Sequence, residues 1–174
     1  MTAKRYGAAW GLRIWLFTGA AIVVAVGVVI GVFLRSSNDD PKSYWARRVV
    51  PVILFGVIGG TSLWMIRRFE ITNDAIVVRR GLWSNRIALS DIESAELDAH
   101  ACRGAWKTCG NDGLFAMHGQ FRSRRLGKFQ AYVTQPRNAI VLRVAGDTIV
   151  ISPDNPRNFL KELNHRRSRL KEKR

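Results

Sequence analysis

Two long stretches without charge dominate the first part of the chain. Residues 14–34 carry no charged side chain over 21 positions, and residues 49–66 carry none over 18. At about 1.5 Å of rise per helical residue, these stretches reach roughly 31 and 27 Å, close to the roughly 30 Å hydrocarbon core of a bilayer. Backbone groups in lipid must be satisfied within their own segment, so helices are expected. The pattern therefore predicts a transmembrane hairpin of two helices within residues 1–68.

A buried helix or a cleaved signal peptide would fit these stretches less well. A buried helix of a soluble protein is apolar on one stripe, whereas residues 20–26 are apolar on every side; the second stretch, shorter and opening near Pro51, leaves more room for this alternative. A cleaved signal peptide has an apolar run of about 7 to 15 residues and a small-residue cleavage site, and none precedes Arg35. Aromatic residues suited to the headgroup region lie near the ends of the two stretches: Trp10, Trp15, Tyr44, Trp45 and Trp64.

Basic residues beside the two stretches predict the orientation, because cytoplasmic flanks are enriched in Lys and Arg. The segment between the stretches has four: Arg35, Lys42, Arg47 and Arg48. The outer flanks have eight: Lys4, Arg5, Arg13, Arg67, Arg68, Arg79, Arg80 and Arg86. We expect a multi-pass protein of the inner membrane with both termini cytoplasmic, so Cys102 and Cys109 should be reduced thiols.

Beyond Arg68 the pattern changes to short apolar runs separated by turn residues. Runs at residues 69–72 and 75–80 flank Asn73-Asp74, which suits a two-residue hairpin turn. Further strands are predicted at residues 86–89, 92–98 and 128–134, and a second hairpin at residues 139–144 and 148–152. Residues 100–119 contain four glycines and are predicted to form a long loop with at most one short strand, near residues 114–117. The expected total is about seven strands.

A helix is predicted to follow the last strand. Asp154 or Asn155 can cap it, Pro156 suits its first turn, and apolar residues recur with helical spacing up to residue 163. Residues 165–174 are almost purely basic, and we expect them to form a tail that frays into solvent or lies on an anionic surface.

This order of strands and helix resembles the pleckstrin-homology (PH) superfold. The resemblance is carried by Phe69-Glu70-Ile71-Thr72, by Ile76-Val77-Val78-Arg79-Arg80-Gly81, by Ile87-Ala88-Leu89-Ser90-Asp91-Ile92, by residues 127–134 and by Ile151-Ser152-Pro153-Asp154-Asn155-Pro156. The chain is similar to bacterial PH-like domains placed after a transmembrane hairpin, and the similarity covers residues 69–164. It implies a small barrel or two packed sheets whose open end a C-terminal α-helix covers. A fold of this kind does not by itself settle function.

The residue types that most often carry chemistry do not form a convincing site. His100, Cys102, Cys109 and His118 lie within 19 positions, but a Cys-x6-Cys spacing is not the close pair of structural zinc sites. A catalytic thiol needs a paired base and an orienting group, and no third member is recognisable. We therefore expect no metal, no cofactor and no enzymatic activity.

Positive charge is the more informative feature, since the 174 residues carry a formal net charge of +15. Part of it follows from topology, and nucleic-acid binding is not expected because no stacking platform of aromatic residues is evident. Candidate contacts to anionic lipid are a predicted hairpin tip and the tail: Arg122, Arg124, Arg125, Lys128, Arg166, Arg167 and Arg169. The alternative is a generally basic cytoplasmic face. The loop at Asn73-Asp74 is short and acidic, whereas the family's phosphoinositide-binding members resemble one another in a basic loop there; any lipid contact should therefore depend on charge alone.

The sequence thus predicts a non-enzymatic membrane protein whose PH-like domain contacts an unknown protein partner or another copy of the chain. Sheets of this kind offer edges that can pair with a peptide or a subunit. The alternative is an electrostatic sensor of anionic lipid that uses the basic tip and tail.

Overall fold

The computed structural model describes residues 3–8, 10–35, 41–63, 65–112 and 116–172. A short strand β1 (Lys4–Gly7) precedes two long helices, α1 (Leu12–Arg35) and α2 (Pro41–Ser62). Nine strands follow: β2 (Ile66–Ile71), β3 (Ala75–Arg80), β4 (Ser84–Ala88), β5 (Ile92–Leu97), β6 (Trp106–Asp112), β7 (Met117–Ser123), β8 (Gly127–Val133), β9 (Ile140–Val144) and β10 (Asp147–Ile151). The last element is the helix α3 (Pro156–Glu172).

Helix α1 contains the whole of the first predicted span. Its 24 residues extend over about 36 Å. Within the described ranges it is the one helix long and apolar enough to cross a bilayer, with a mean hydropathy of 2.6 from Ile14 to Arg35. Its apolar side chains are mostly exposed, Val23 at 70% and Leu34 at 83%. Exposure of so many apolar side chains is unlike that of a core helix.

Helix α2 differs from the second predicted span. It ends at Ser62, and Ile66 opens β2 with its side chain fully buried in the β domain. The uncharged part of α2, from residue 49 to residue 62, is about 21 Å long. The apolar run at residues 49–66 is therefore shared between two elements, and its last residue, Ile66, is apolar because it enters the domain core.

The first sheet has four antiparallel strands in the order β1-β2-β3-β4. The predicted hairpin around Asn73-Asp74 is confirmed, with Ile71 opposite Ile76. The edge strand β1 was not predicted; it lies beside β2, with Lys4 opposite Ile71 and Gly7 opposite Arg68. A segment from before both helices is thereby hydrogen-bonded to the strand that follows them.

The second sheet has six strands in the order β5-β9-β10-β8-β7-β6. The predicted β9–β10 hairpin is confirmed, and β10 runs parallel to β8. Alternate residues of β9 serve two cores: Ile140 and Leu142 face the first sheet and α3, whereas Val141 packs with Phe121 and Phe129. This sheet is therefore buried on both faces over β9, as the alternation of side chains along a strand requires.

The predicted long loop at residues 100–119 holds all of β6 and the start of β7. With β1, these bring the described chain to ten strands instead of about seven. Gly110 and Gly119 face each other across this ladder with φ of 124° and 122°. A Cβ atom on either would lie 2.2 Å from a backbone carbonyl oxygen of the other strand. The glycines predicted to lie in a loop thus permit close approach of two strands. Of the short strand predicted at residues 114–117, Met117 opens β7, and the positions before residue 116 lie outside the described residues.

Helix α3 begins as predicted, since the Asn155 side chain accepts a hydrogen bond from the Asn158 N–H at 3.2 Å. It buries Phe159 and Leu163 against the first core. The predicted fraying beyond Asn164 is wrong, because the helix continues to Glu172. Arg166 donates to the Ile71 carbonyl at 3.1 Å and Arg167 to the Glu93 carbonyl at 2.9 Å, so these tail residues fix the helix to the strands.

We expect Gly119→Ala to destabilise the domain by at least about 2 kcal/mol more than Gly104→Ala. Both glycines have positive φ, but a Cβ at Gly104 would meet open space. Thermal unfolding of the detergent-solubilised full chain, followed by circular dichroism, measures the difference. Equal losses for the two variants would mean that β6 and β7 do not approach closely at Gly119.

Candidate functional site

One end of the β domain adjoins both long helices, and we call it the helix-proximal end. The Gly11 N–H, just before α1, donates to the Thr134 carbonyl at 3.0 Å. The Gly81 N–H, just after β3, donates to the Leu63 carbonyl at 3.2 Å, directly after α2. A Cβ at Gly81 would lie 2.7 Å from that same carbonyl oxygen, so only glycine fits without a shift. The turn after β3 is therefore fastened to the end of α2.

A basic cleft opens at this end, and we call it the arginine cleft. Its volume is about 270 Å³, and it is lined by Arg67, Arg68, Arg79, Arg80 and the turn Gly81, Leu82, Trp83 and Ser84. The four arginines come from the helix-proximal ends of β2 and β3, where Arg68 lies opposite Arg79. The hairpin register thus gathers two adjacent Arg-Arg pairs into one cleft.

A single buried carboxylate, that of Glu70, forms ion pairs with arginines of the cleft. Glu70, 5% exposed, lies 3.1 Å from Arg68 Nε and 3.2 Å from Arg79 Nε, and 3.7 Å from Arg5 Nε on β1. One negative charge among several guanidinium groups leaves the cleft with a net positive charge. Because Arg68 and Arg79 share this one carboxylate, it cannot neutralise the charges of both guanidinium groups.

Arg80 forms the inner wall of the cleft. It is 7% exposed, and its Nη1 lies 2.9 Å from His118 Nε2. A guanidinium can only donate, so Nε2 accepts and the His118 ring is neutral in this pair. Tyr132 lies against both: its ring is 4.9 Å from the Arg80 guanidinium carbon and is stacked on His118 with centroids 5.6 Å apart.

Burial is the main cause of the shifted pKa values of Arg80, His118 and Tyr132. Burial lowers the pKa of Arg80 and raises the pKa of Tyr132. Burial and then the charge of Arg80 lower the pKa of His118. In the described part of the chain, no acceptor reaches the buried Nε atom of Arg80. The inner wall therefore holds a buried cation whose neighbours here are neutral rings.

Two apolar side chains project beside the cleft. Leu82 is 71% exposed and Trp83 39%, and the Trp83 ring centroid lies 5.8 Å from the Arg80 guanidinium carbon. Both lie next to the residue fastened to the end of α2. An exposed apolar pair beside clustered arginines is the composition that suits a membrane surface.

The predicted basic tip lies elsewhere. Arg124 and Arg125 occupy the turn before β8, whereas Thr134, which holds the start of α1, follows the other end of that strand. Seven residues of strand separate the two ends by about 23 Å. Arg122 and Lys128 lie opposite each other at the same tip, and Arg125 pairs with Asp98. Contact of this tip with lipid remains a prediction.

The tail residues lie on α3. Arg166 also pairs with Glu162 at 2.7 Å, and Arg166 and Arg169 line a cavity of about 630 Å³ beside Asn73. Asn73 is in the β2–β3 turn, at the opposite end of β2 from the arginine cleft. The tail therefore lies at the helix-distal end.

The four candidate metal ligands are not brought together. His118 is buried against Arg80, Cys109 is exposed on β6, Cys102 packs against the second core and His100 lies in an exposed turn. Across the described residues, no group of three or more His, Cys, Asp or Glu side chains is arranged to hold a metal ion.

The four arginines of the cleft entered the sequence-based prediction only as indicators of orientation. A signal for the cleft was nevertheless present. A two-residue turn at Asn73-Asp74 places Arg68 opposite Arg79, and this register alone brings the two Arg-Arg pairs together. The contribution of Arg80 to a buried group could not be inferred this way, because His118 and Tyr132 come from the other sheet.

Comparison of the sequence with models of known protein families gives a match over the β domain. A family model described as a bacterial PH domain matches residues 67–167, more than half of the chain. The match begins with the first arginine of the cleft and ends within α3. No curated protein matches the chain.

We expect the domain to lose stability as pH falls through about 6.5, the ordinary pKa of an unfolded histidine. The pKa of His118 is lower in the folded state, so the unfolded chain binds more protons there and acid favours unfolding. Unfolding midpoints of the full chain between pH 8 and pH 5 measure this. His118→Gln should flatten the slope, whereas the exposed control His100→Gln should leave it unchanged; the same slope in all three would contradict the assignment.

Proposed function

Because the chain belongs to the bacterial PH domain family, we propose that it is a non-enzymatic, two-pass membrane protein that holds this domain at the cytoplasmic face of the inner membrane. There the domain serves as a binding module for a protein partner, another copy of the chain or the lipid surface. The observation that carries the proposal is the pairing of β1 with β2, which ties both ends of the helical hairpin to one domain.

The two-pass arrangement rests on connectivity. Residues on either side of the hairpin are hydrogen-bonded partners, so they lie on the same side of any membrane. If α1 crosses, α2 must return. At the far end, Arg47 of α2 donates to the Phe33 carbonyl of α1 at 3.2 Å and lies over its ring at 5.6 Å. An arginine level with the end of α1 suits the opposite headgroup region, where its charge can reach water.

The short uncharged part of α2 is compatible with a return crossing. Its exposed apolar side chains include Val52 at 71% and Phe55 at 64%. Directly after α2, the Leu63 N–H donates to the Gly60 carbonyl and the Met65 N–H donates to the Ser62 carbonyl, so the chain turns there before β2 begins at Ile66. Local thinning of the bilayer or snorkelling of Arg47 and Arg48 accommodates the difference between the uncharged length of α2 and the thickness of the hydrocarbon core.

The cytoplasmic orientation is supported by charge. Lys4 and Arg5 precede α1, and Arg67 and Arg68 follow α2 within a few residues, so both flanks of the helical pair are basic. Cytoplasmic flanks are enriched in such residues.

Labelling of cysteines tests this topology in cells. Cys109 is exposed on the domain, and we expect a membrane-impermeant maleimide to modify it in inverted vesicles but not in intact spheroplasts. In a Cys102→Ser, Cys109→Ser background, Ser37→Cys in the connecting segment should show the reverse pattern. Labelling of both positions from one side would overturn the two-pass arrangement, and an exchange of the two patterns would overturn the orientation.

A protein-binding role is supported by the edges of the sheets. In the part of the chain that the structure describes, β4 pairs with β3 alone and β6 with β7 alone, so each has one edge without a partner strand. Such edges can take up a partner strand. Cross-linking of the full-length protein in its native membrane, followed by mass spectrometry, identifies a partner; cross-links confined to single copies of the chain would count against this role.

A further inference from the structure

We propose that the arginine cleft binds a phosphate-bearing anion, foremost the headgroup of an anionic phospholipid in the facing leaflet. The inference deepens the proposed function, since it names the ligand that the tethered domain meets. It assigns a site to four residues, Arg67, Arg68, Arg79 and Arg80, that lie far from the basic tip predicted from the sequence.

The charge of the cleft favours an anionic ligand. Guanidinium groups repel one another unless an anion lies among them. Among the described residues that line the cleft there are four arginines and no carboxylate, and Glu70 pairs with two of these arginines. Glu70 forms ion pairs with both Arg68 and Arg79, so a single negative charge is shared between two guanidinium groups and positive charge remains in excess. Planar guanidinium groups that present two donors suit phosphate oxygens.

The buried cation of the inner wall favours an anion at the same place. Arg80 is 7% exposed and contacts neutral rings, with no acceptor at its Nε among the described residues. Burying a charge without a counter-charge is costly, and a bound anion would offset that cost. Arg67 also lines the cleft and is exposed. Among the described residues, the structure shows no ion pair to it. One buried and three exposed guanidinium groups therefore converge on one cavity.

The depth of the cleft relative to α2 favours lipid over a soluble anion. Leu63 at the end of α2 is hydrogen-bonded to Gly81 of the cleft, so the cleft begins where α2 ends. Leu82 and Trp83 project beside it, and such side chains at the interface contact acyl chains and headgroups. A phosphate at the surface of the leaflet would thus face arginines on the domain while the apolar pair enters the lipid.

Binding to the detergent-solubilised full chain tests the proposal. We would titrate it with phosphatidylglycerol carrying a fluorescent acyl chain, and in parallel with the matching phosphatidylcholine, in dodecyl maltoside micelles. Arg67→Gln with Arg79→Gln removes two charges and leaves Arg5 and Arg68 for Glu70. At about 1 kcal/mol for each basic residue, the expected loss in affinity is about thirty-fold.

The matched control removes two charges from the tip instead: Arg122→Gln with Arg124→Gln. We expect this pair to change the affinity by no more than about two-fold. Equal losses for the two pairs, or no preference of the native chain for phosphatidylglycerol, would overturn the site. If the cleft pair lowers the thermal unfolding midpoint, Arg67→Gln alone decides the question, with an expected loss of about five-fold.

Competition distinguishes the source of the phosphate. Glycerol 3-phosphate or inorganic phosphate that displaces the lipid, with the same dependence on Arg67 and Arg79, would show that the cleft accepts a free phosphate. Failure to compete, together with weaker lipid binding by Leu82→Ala with Trp83→Ala, would assign the site to lipid. Because the assay uses micelles, its outcome does not depend on how the hairpin crosses the membrane; the cysteine labelling reports on that separately.

Discussion

The antiparallel pairing of β1 with β2 joins a strand that precedes both long helices to the strand that follows them. Four residues of β1 thereby close a loop that contains the whole helical hairpin, and the ends of that loop meet at one face of the domain. The Gly11–Thr134 and Gly81–Leu63 hydrogen bonds add further ties at the same face. The domain is therefore not connected to the helical hairpin by a flexible linker. Backbone hydrogen bonds fix its orientation relative to the hairpin, and forming them restricts no side chain.

That orientation decides which basic residues matter. The chain carries positive charge at both ends of the domain, but the two ends use it differently. At the helix-distal end, arginines of α3 pair with Glu162 and with backbone carbonyls, so much of their charge serves packing. At the helix-proximal end, the Glu70 carboxylate is shared among three arginines, and Arg80 is buried against His118 and Tyr132. An excess of positive charge beside the end of α2 destabilises the folded domain when no anion is bound. The same excess favours contact with a negatively charged surface.

The elements predicted correctly from the sequence were those with a strong local period. The uncharged stretch of α1, the hairpin at Asn73-Asp74, the β9–β10 hairpin and the capped start of α3 each carry their signal within one continuous segment of the sequence. The elements that were missed lack one. β1 is four residues with a single buried side chain, Tyr6, and β6 is largely exposed and polar, so their pairing depends on a partner distant in sequence. The prediction for Gly110 and Gly119 was wrong because the same residue that opens a loop also permits two strands to approach closely.

The sequence by itself determined the class of this protein: an apolar N-terminal hairpin, a mainly β domain that resembles PH folds and a closing helix, because hydrophobic periodicity is a property of neighbouring residues. Only the tertiary structure decided where the apolar run after Val49 stops being helix, which end of the domain faces the hairpin and which arginines gather there. Those outcomes depend on contacts between residues far apart in the chain: Ile66 in the core, β1 beside β2, and Arg80 against His118. Local pattern does not encode such contacts, since each requires the register of two strands or the packing of two sheets to be known first.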